Sequence, residues 1–475
     1  MTITVNGRTI TLNDDQRNAL SGIKAFLEDS AKLFCCLSGA AGTGKSTIIK
    51  EAISGRRRVA VTAPTHKAKK VVGQFTGRGA QTLHYLLGLR PDMSLEAFDK
   101  HNLLFTQMSR GSMGDYSVVI VDECSMINRD LDELIKRNAI KCNTKVIYLG
   151  DPYQLTPVKK KKEERSGTYD WEEGPETNIS PVFTDEDTLH LQLTKVERQQ
   201  DSNPLMFVYD KIRADINSLE DQFEHQTIIH GDEGIKFYDR PEEFAQHLLT
   251  TFREKNIAAW PYNAKMLCWR NDTIRRWNNY VRKNLYGNIK EPIQEGEVMM
   301  GYKNIRREGD EKGLLVQNSS EYVVTGIRDN VHGAISGWEV KLRDVDNPAN
   351  EESAVFIVRP DEGNYLRFLA KEQYYLERAK KADPAVRANM WRQYYNFKNR
   401  YLLMEKLVSK AGTVLVDKDI DYAYVLSVHR AQGSSYKYVF IDENDLNANS
   451  DHTERNRLKY VALSRPTNIA HILNY

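Results

Sequence analysis

An excess of charge of either sign is what this sequence most conspicuously lacks. It has 67 lysines and arginines against 65 aspartates and glutamates, a formal +2. No whole-chain field draws it to nucleic acid or to an anionic membrane, so such a partner must be met by local groups. Cysteine is sparse: the five thiols, Cys35, Cys36, Cys124, Cys142 and Cys268, have neither metal-knuckle nor redox-pair spacing. Reduced, mostly buried thiols in a cytosol are expected. No apolar run approaches the ~20 residues that cross a bilayer, and Met1–Thr11 lacks the basic flank and long apolar stretch of a secretory leader. An intracellular, membrane-free protein is the expectation. Internal repeats and low-complexity tracts are also missing.

Apolar residues are plentiful, at 40% of 475, enough for roughly two to four domains. The most informative stretch is Gly39-Ala40-Ala41-Gly42-Thr43-Gly44-Lys45-Ser46, a full G-x-x-x-x-G-K-[ST] loop directly after the apolar run Leu33–Leu37. Such a loop turns at its glycines and aims successive N–H groups at one point, where the positive end of the following helix also lies. That point suits a polyphosphate. Lys45 supplies a mobile cation for the β and γ phosphates, and the Ser46 hydroxyl suits Mg²⁺.

Between residues 33 and 193, short aliphatic runs alternate with polar helical stretches: Leu33–Leu37, Arg58–Thr62, Val118–Val121, Val146–Leu149 and Leu189–Leu193. Runs of this length bounded by turns predict strands buried on both faces. Helices between them make a parallel, doubly wound α/β sheet the economical fold, with ligands at the carboxyl ends of the strands. The basic run Lys159–Arg165 opens a loop, either plain solvated surface or a phosphate-backbone contact. A second sheet starts near Ile235, continues at Met266–Trp269, and resumes at Tyr422–Val428 and Tyr438–Asp442. The insert holds short strands at Val298–Gly301, Glu321–Ile327, Trp338–Leu342 and Ala354–Val358, which predict a small β-barrel or curled sheet. It then runs helical from Tyr365 to Val408, broken at Asp383-Pro384, as an antiparallel pair.

Val118–Val121 ends in Asp122-Glu123. At the end of such a strand the first carboxylate can hold Mg²⁺ and the second can take a proton from an attacking water. Past the next strand, Gly150-Asp151-Pro152-Tyr153-Gln154 sets an amide where it could sense the γ phosphate, or is simply a turn.

Taken in order, Gln16, Gly39–Ser46, Ala63–Ala68, Asp122–Ser125, Gly150–Gln154, Leu193–Arg198, Val428–Gly433 and Tyr460–Arg465 follow the motif series of the superfamily 1 helicases. The chain resembles the 5′→3′ branch, which includes RecD-like and phage Dda-like enzymes, over almost its whole length. Trp269-Arg270-Asn271 stands where relatives carry Phe-Thr-Asn, and Ser464-Arg465-Pro466 where Thr-Arg-Gly is usual.

The resemblance implies two RecA-like domains with ATP and Mg²⁺ between them: residues 1–182, with a pin insert near 86–110, and residues 183–290 with 412–475. An SH3-like barrel and helical pair over 291–411 would interrupt the second. It gives Gln16 the adenine edge, Lys45, Ser46 and Asp122 the phosphates and metal, Glu123 the water, Gln154 the γ phosphate, and Arg198 and Arg465 its developing charge. Pro64, Thr65, His66, Thr82, His84, Asn271, His429 and Gln432 match positions that touch single-stranded DNA. Hydroxyls and amides suit phosphates and an imidazole can stack on a base, although each histidine reads equally well as a structural group. Phe105, in Asn102–Phe105, matches the tip of a strand-separating pin, and Trp391 a strand-contacting tryptophan. Single-stranded and forked DNA are the implied partners of a monomeric motor, with a single-strand-binding or replisome protein beside it. A phage role in replication or recombination is implied too. Two other classes compete, a non-motor phosphate-loop enzyme such as a small-molecule kinase, and a nucleic-acid scaffold with a decayed ATPase. DNA-stimulated ATP hydrolysis separates all three.

Overall fold

The computed structural model describes residues 2–5, 8–63, 73, 79–89, 111–156, 179–195, 204–216, 218, 223–254, 263–287, 292–306, 314–347, 351–408 and 414–475. They form two compact units, Met1–Pro241 with Val428–Tyr475, and Glu242–Ser427.

In the first unit a six-stranded sheet runs in the order Ala80–Thr82, Val59–Ala63, Val118–Val121, Lys145–Gly150, Phe34–Gly39, Leu189–Leu193, every pair parallel. Alternation along each strand feeds two cores, one on each face. Cys35, Leu37, Ile120 and Ile147 pack with Ile23, Phe26 and Ile48 of the helices Asp14–Glu28 and Lys45–Ala52. Cys36, Val119, Val121 and Tyr148 pack with Leu131 and Ile135 of Arg129–Cys142. Asn13 caps the first of these helices in a capping box with Gln16, and Asn128 caps the third.

Leu189–Leu193 was expected to be buried on both faces. It is the sheet's edge, with alternate residues exposed, so the first sheet extends past the expected boundary at residue 182. A second sheet in this unit places Tyr436–Asp442, Pro466–Leu473, Glu233–Tyr238 and Ile228–His230 side by side. The first three run parallel, and the last closes a hairpin.

In the second unit Ala264–Cys268 pairs parallel with Val425–Ser427. A six-stranded sheet follows the order Tyr401–Leu402, Ser353–Val358, Ile335–Asp344, Glu321–His332, Val298–Gly301, Ile420–Tyr422. Its ends approach each other: the Leu403 carbonyl accepts from the N–H groups of Asp419 and Ile420 at 2.7 and 3.3 Å, so the sheet curls. Helices Glu362–Lys381 and Pro384–Arg400 pack together, with Phe368 stacked on Phe397 at 5.5 Å.

Two expectations need correction here. The helical segment ends at Arg400 rather than at Val408, because Tyr401 pairs with Phe356 as a strand and joins the core beside Phe368. The expected strand Tyr422–Val428 is two short strands, Ile420–Tyr422 and Val425–Ser427, and Val428 opens a helical turn. No described helix is long and apolar enough to cross a membrane.

Candidate functional site

The phosphate loop follows the Phe34–Gly39 strand and ends in the Lys45–Ala52 helix. Gly42 and Gly44 have φ of 84° and 91°, the left-handed region that side chains avoid. A Cβ at Gly44 would also lie 2.8 Å from Gln16 Nε2. Thr43 closes the turn, its hydroxyl donating to the Ala40 carbonyl at 3.0 Å. The Lys45 ammonium donates to the carbonyls of Gly39 and Ala40 at 2.6 and 3.0 Å, so the cation is held at the mouth of the loop. Ser46 lies in the first turn of the helix, half-buried.

Asp122 and Glu123 follow the parallel strand Val118–Val121, which Lys145–Gly150 separates from the strand that leads into the loop. Burial pushes the Asp122 carboxyl up to about 7, the Glu123 carboxylate adds to the rise, and the Glu123 N–H and Lys45 oppose it. Two adjacent carboxylates with one nearby ammonium are short of positive charge, and a hard divalent cation on oxygen ligands supplies it. Ser46 and Asp122 therefore fit Mg²⁺, which needs only one or two protein oxygens. Among the described residues no larger metal-ligand cluster occurs. Glu123 itself adopts φ 53°, a left-handed conformation that costs a non-glycine of order 1–3 kcal/mol and is tolerated mainly where function needs it. The chain then turns at once into Cys124–Met126.

Replacing Glu123 with glutamine should keep nucleotide binding and remove hydrolysis, since the amide retains the shape but accepts no proton. Titration with a fluorescent ATP analogue beside a phosphate-release assay checks it. Loss of binding along with turnover would take the glutamate out of the proton-accepting role.

Segments far apart in sequence complete this site within the first unit. Gln154 is buried, and Gln432 Nε2 donates to its Oε1 at 3.0 Å and to Ser125 Oγ at 3.3 Å. An amide whose oxygen is already taken presents its NH₂ as donor, the polarity a phosphate oxygen requires. Arg465 is buried as well, donating to the carbonyls of Ser434 and Val461 at 2.9 and 3.0 Å and to Ser464 Oγ at 2.6 Å. Burial lowers its pKa, and the Glu123 carboxylate favours the charged form.

Several residues with expected ligand contacts have protein partners in this geometry. Gln432 was placed on the DNA track, and its Nε2 donates to Gln154 and Ser125. Thr82 is buried, and its hydroxyl accepts from Tyr85 N at 3.4 Å at the start of the Leu83–Leu87 helix that carries His84. Gln16 was given the adenine edge. Its Oε1 accepts from Asn13 N at 3.2 Å and its Nε2 donates to the Thr43 carbonyl at 3.1 Å, so it braces the phosphate loop against the helix that carries it.

Other expected positions remain accessible. Asn271 is exposed at the start of Asn271–Tyr286. Half-buried Trp391 stacks on Tyr395 at 5.9 Å. His429 is half-buried, and burial lowers its pKa, keeping the imidazole neutral. Pro64, Thr65, His66, Phe105 and Arg198, most of the 86–110 insert and the Lys159–Arg165 run lie outside the described residues. Sequence reasoning missed Arg457 and Tyr460, which reach the Asp151–Gln154 turn from the helix before Arg465. Their spacing, three apart on a helix that leads into the arginine, was the available signal.

The AAA domain family matches residues 11–170, and the UvrD-like helicase C-terminal domain family matches residues 422–470. The chain is 24% identical to the ATP-dependent DNA helicase dda of Enterobacteria phage T4 over 442 residues, 88% of this chain and 94% of that protein. It is 35% identical to the ATP-dependent RecD2 DNA helicase of Deinococcus radiodurans over 158 residues, 31% of this chain and 20% of that one. The fold is similar to the crystal structure of Pif1 helicase from Candida albicans, with TM-score 0.50 and 18% identity over 98% of this chain and 95% of that one. A phosphate-loop domain matched near one end, a helicase C-terminal domain near the other and a near-full-length relative joining them all make the chain similar to superfamily 1 helicases of the Pif1/RecD/Dda type.

Proposed function

We propose that this chain is an ATP-dependent DNA helicase that moves 5′→3′ along single-stranded DNA and opens duplex ahead of it. One observation carries the reading. Gln432 and Arg465, from the end of the chain, meet Gln154 and the field of Glu123, from the first sheet, beside the phosphate loop. A guanidinium that is planar and always charged suits the spread negative charge of phosphoryl transfer. Residues that complete the site only when two sheets come together couple hydrolysis to their relative movement.

Lys45, Ser46 and Asp122 would hold ATP and Mg²⁺. The curled sheet with its helical pair is read as the SH3-like barrel and helical insert of the second RecA-like domain. Asn271, Trp391, His429 and the segment Pro64–His66 are read as the DNA side. The motor is read as a monomer in the cytoplasm, the host's if phage-encoded, working on forked DNA in replication or recombination, with a single-strand-binding or replisome partner.

The test is ATP hydrolysis with and without single-stranded DNA, followed by strand displacement from duplexes with a 5′ or a 3′ overhang. Stimulation by DNA and a preference for the 5′ overhang are expected. A rate indifferent to DNA would return the chain to the non-motor class, and a 3′ preference would overturn the direction.

Phe105→Ala should separate movement from unwinding. A motor needs only its track and its ATP cycle, whereas breaking base pairs, at a mean ~1.4 kcal/mol per stacked step, also needs an obstacle at the fork. Translocation, read as streptavidin displacement, should stay near wild type while unwinding of a forked duplex falls. Intact unwinding would make Phe105 ordinary packing.

A further inference from the structure

We propose that Arg457 and Tyr460 are positioning residues: they clamp the Asp151–Gln154 turn to the helix that leads into Arg465, and the rate of hydrolysis depends on that clamp. The inference rests on the ATPase reading above. Both lie on the His452–Leu463 helix. Tyr460 donates its phenol proton to Asp151 Oδ2 at 2.7 Å. The other oxygen of the same carboxylate accepts from Tyr153 N at 3.0 Å, and the Asp151 carbonyl accepts from Gln154 N at 3.2 Å, so Asp151 shapes the turn and anchors it at once. One terminal nitrogen of Arg457 donates to the carbonyls of both Pro152 and Gln154, the latter at 2.7 Å.

The contact is dry. Asp151, Arg457 and Tyr460 are 1%, 4% and 2% exposed, and Arg457 Nε is buried with no hydrogen-bond partner. An unmet buried donor is costly, and an apolar side chain of that size would hold the turn against the helix with no such cost. What a guanidinium and a phenol add is direction. They fix the backbone on both sides of the Gln154 side chain, whose amide Gln432 orients. The same helix is held from behind by Asn456, which donates to the Asp215 carbonyl at 3.1 Å. Arg465 follows this helix, so when the two sheets meet the clamp sets the γ-phosphate amide in register with the arginine.

The experiment is a double-mutant cycle on DNA-stimulated hydrolysis, measuring kcat and KM for ATP in the wild type, Tyr460→Phe, Gln154→Ala and the double variant. Tyr460→Phe removes one oxygen and leaves the packing, and its thermal unfolding should match the wild type. Its kcat should fall about tenfold with KM nearly unchanged, the size of coupling seen between residues in direct contact. In the Gln154→Ala background the same change should cost less than about twofold, because its target is gone. Arg457→Lys, which can meet one carbonyl but is poorly shaped for two, should lie between the wild type and Arg457→Ala. A wild-type kcat in Tyr460→Phe, or an equal loss in both backgrounds, would overturn the clamp. The wild-type rate tests the proposed function and the cycle tests the clamp, so the two failures are distinct.

Discussion

Arg465→Ala should lower the DNA-stimulated rate of ATP hydrolysis by ~10³ to 10⁵, the range associated with arginines that stabilise a transferring phosphoryl group, while leaving nucleotide affinity nearly unchanged. Structure adds a complication with a remedy. Arg465 also donates to the buried carbonyl of Ser434 and to Ser464 Oγ, so alanine leaves an acceptor unmet at a cost of about 1–3 kcal/mol. Arg465→Lys keeps the charge but cannot span these acceptors and a phosphate as a fork does. It should stay folded and still lose most of the rate. Stopped-flow phosphate release with a thermal melt of each variant separates the effects. A wild-type rate in both would place Arg465 among structural residues.

Lys45→Ala should reduce turnover by at least ~10²-fold, as removing one preorganised charged group from a phosphoryl or oxyanion site does, and should weaken ATP binding as well. The fold should not suffer. Lys45 is the first residue of its helix, where a positive charge opposes the macrodipole by about 0.3–1 kcal/mol, so the ligand-free variant should melt no lower than the wild type. The contrast appears on adding ATP. At a hundredfold excess over Kd the wild type gains about 2.7 kcal/mol of stability, and the variant should gain almost none at the same concentration. A variant stabilised as much as the wild type would mean that the loop carbonyls now holding the ammonium are its whole purpose.

The first sheet was legible because parallel strands covered on both faces must be apolar throughout, and Val118–Val121 matches its run residue for residue. Leu189–Leu193 was found as a strand but misjudged in its surroundings, since alternation at an edge looks the same as an apolar run when every second residue is leucine. Tyr401 was lost to the preceding helix because tyrosine and phenylalanine fill both the helical pair and the strand that follows it. The phosphate loop and the Asp122-Glu123 pair were legible because their chemistry is local, a few consecutive residues at the end of a strand. Gln432 was not. Its amide meets Gln154 through a contact across 278 positions, which no local pattern encodes. Arg457 and Tyr460 reach the Asp151–Gln154 turn across some 300 positions, and only packing gives them a shared target.

The place of the Pro466–Leu473 strand governs how this molecule is made. It lies between Glu233–Tyr238 and Tyr436–Asp442 and pairs with both. On a ribosome adding about 5–20 residues per second, Glu233–Tyr238 waits on the order of tens of seconds for the partner that covers its inner edge. Through that interval the nascent chain carries an open strand edge able to pair with a neighbouring copy. Nucleotide binding to the Gly39–Ser46 loop can precede completion, since that loop needs only the first sheet. A newborn chain can therefore hold ATP well before Arg465 has been added.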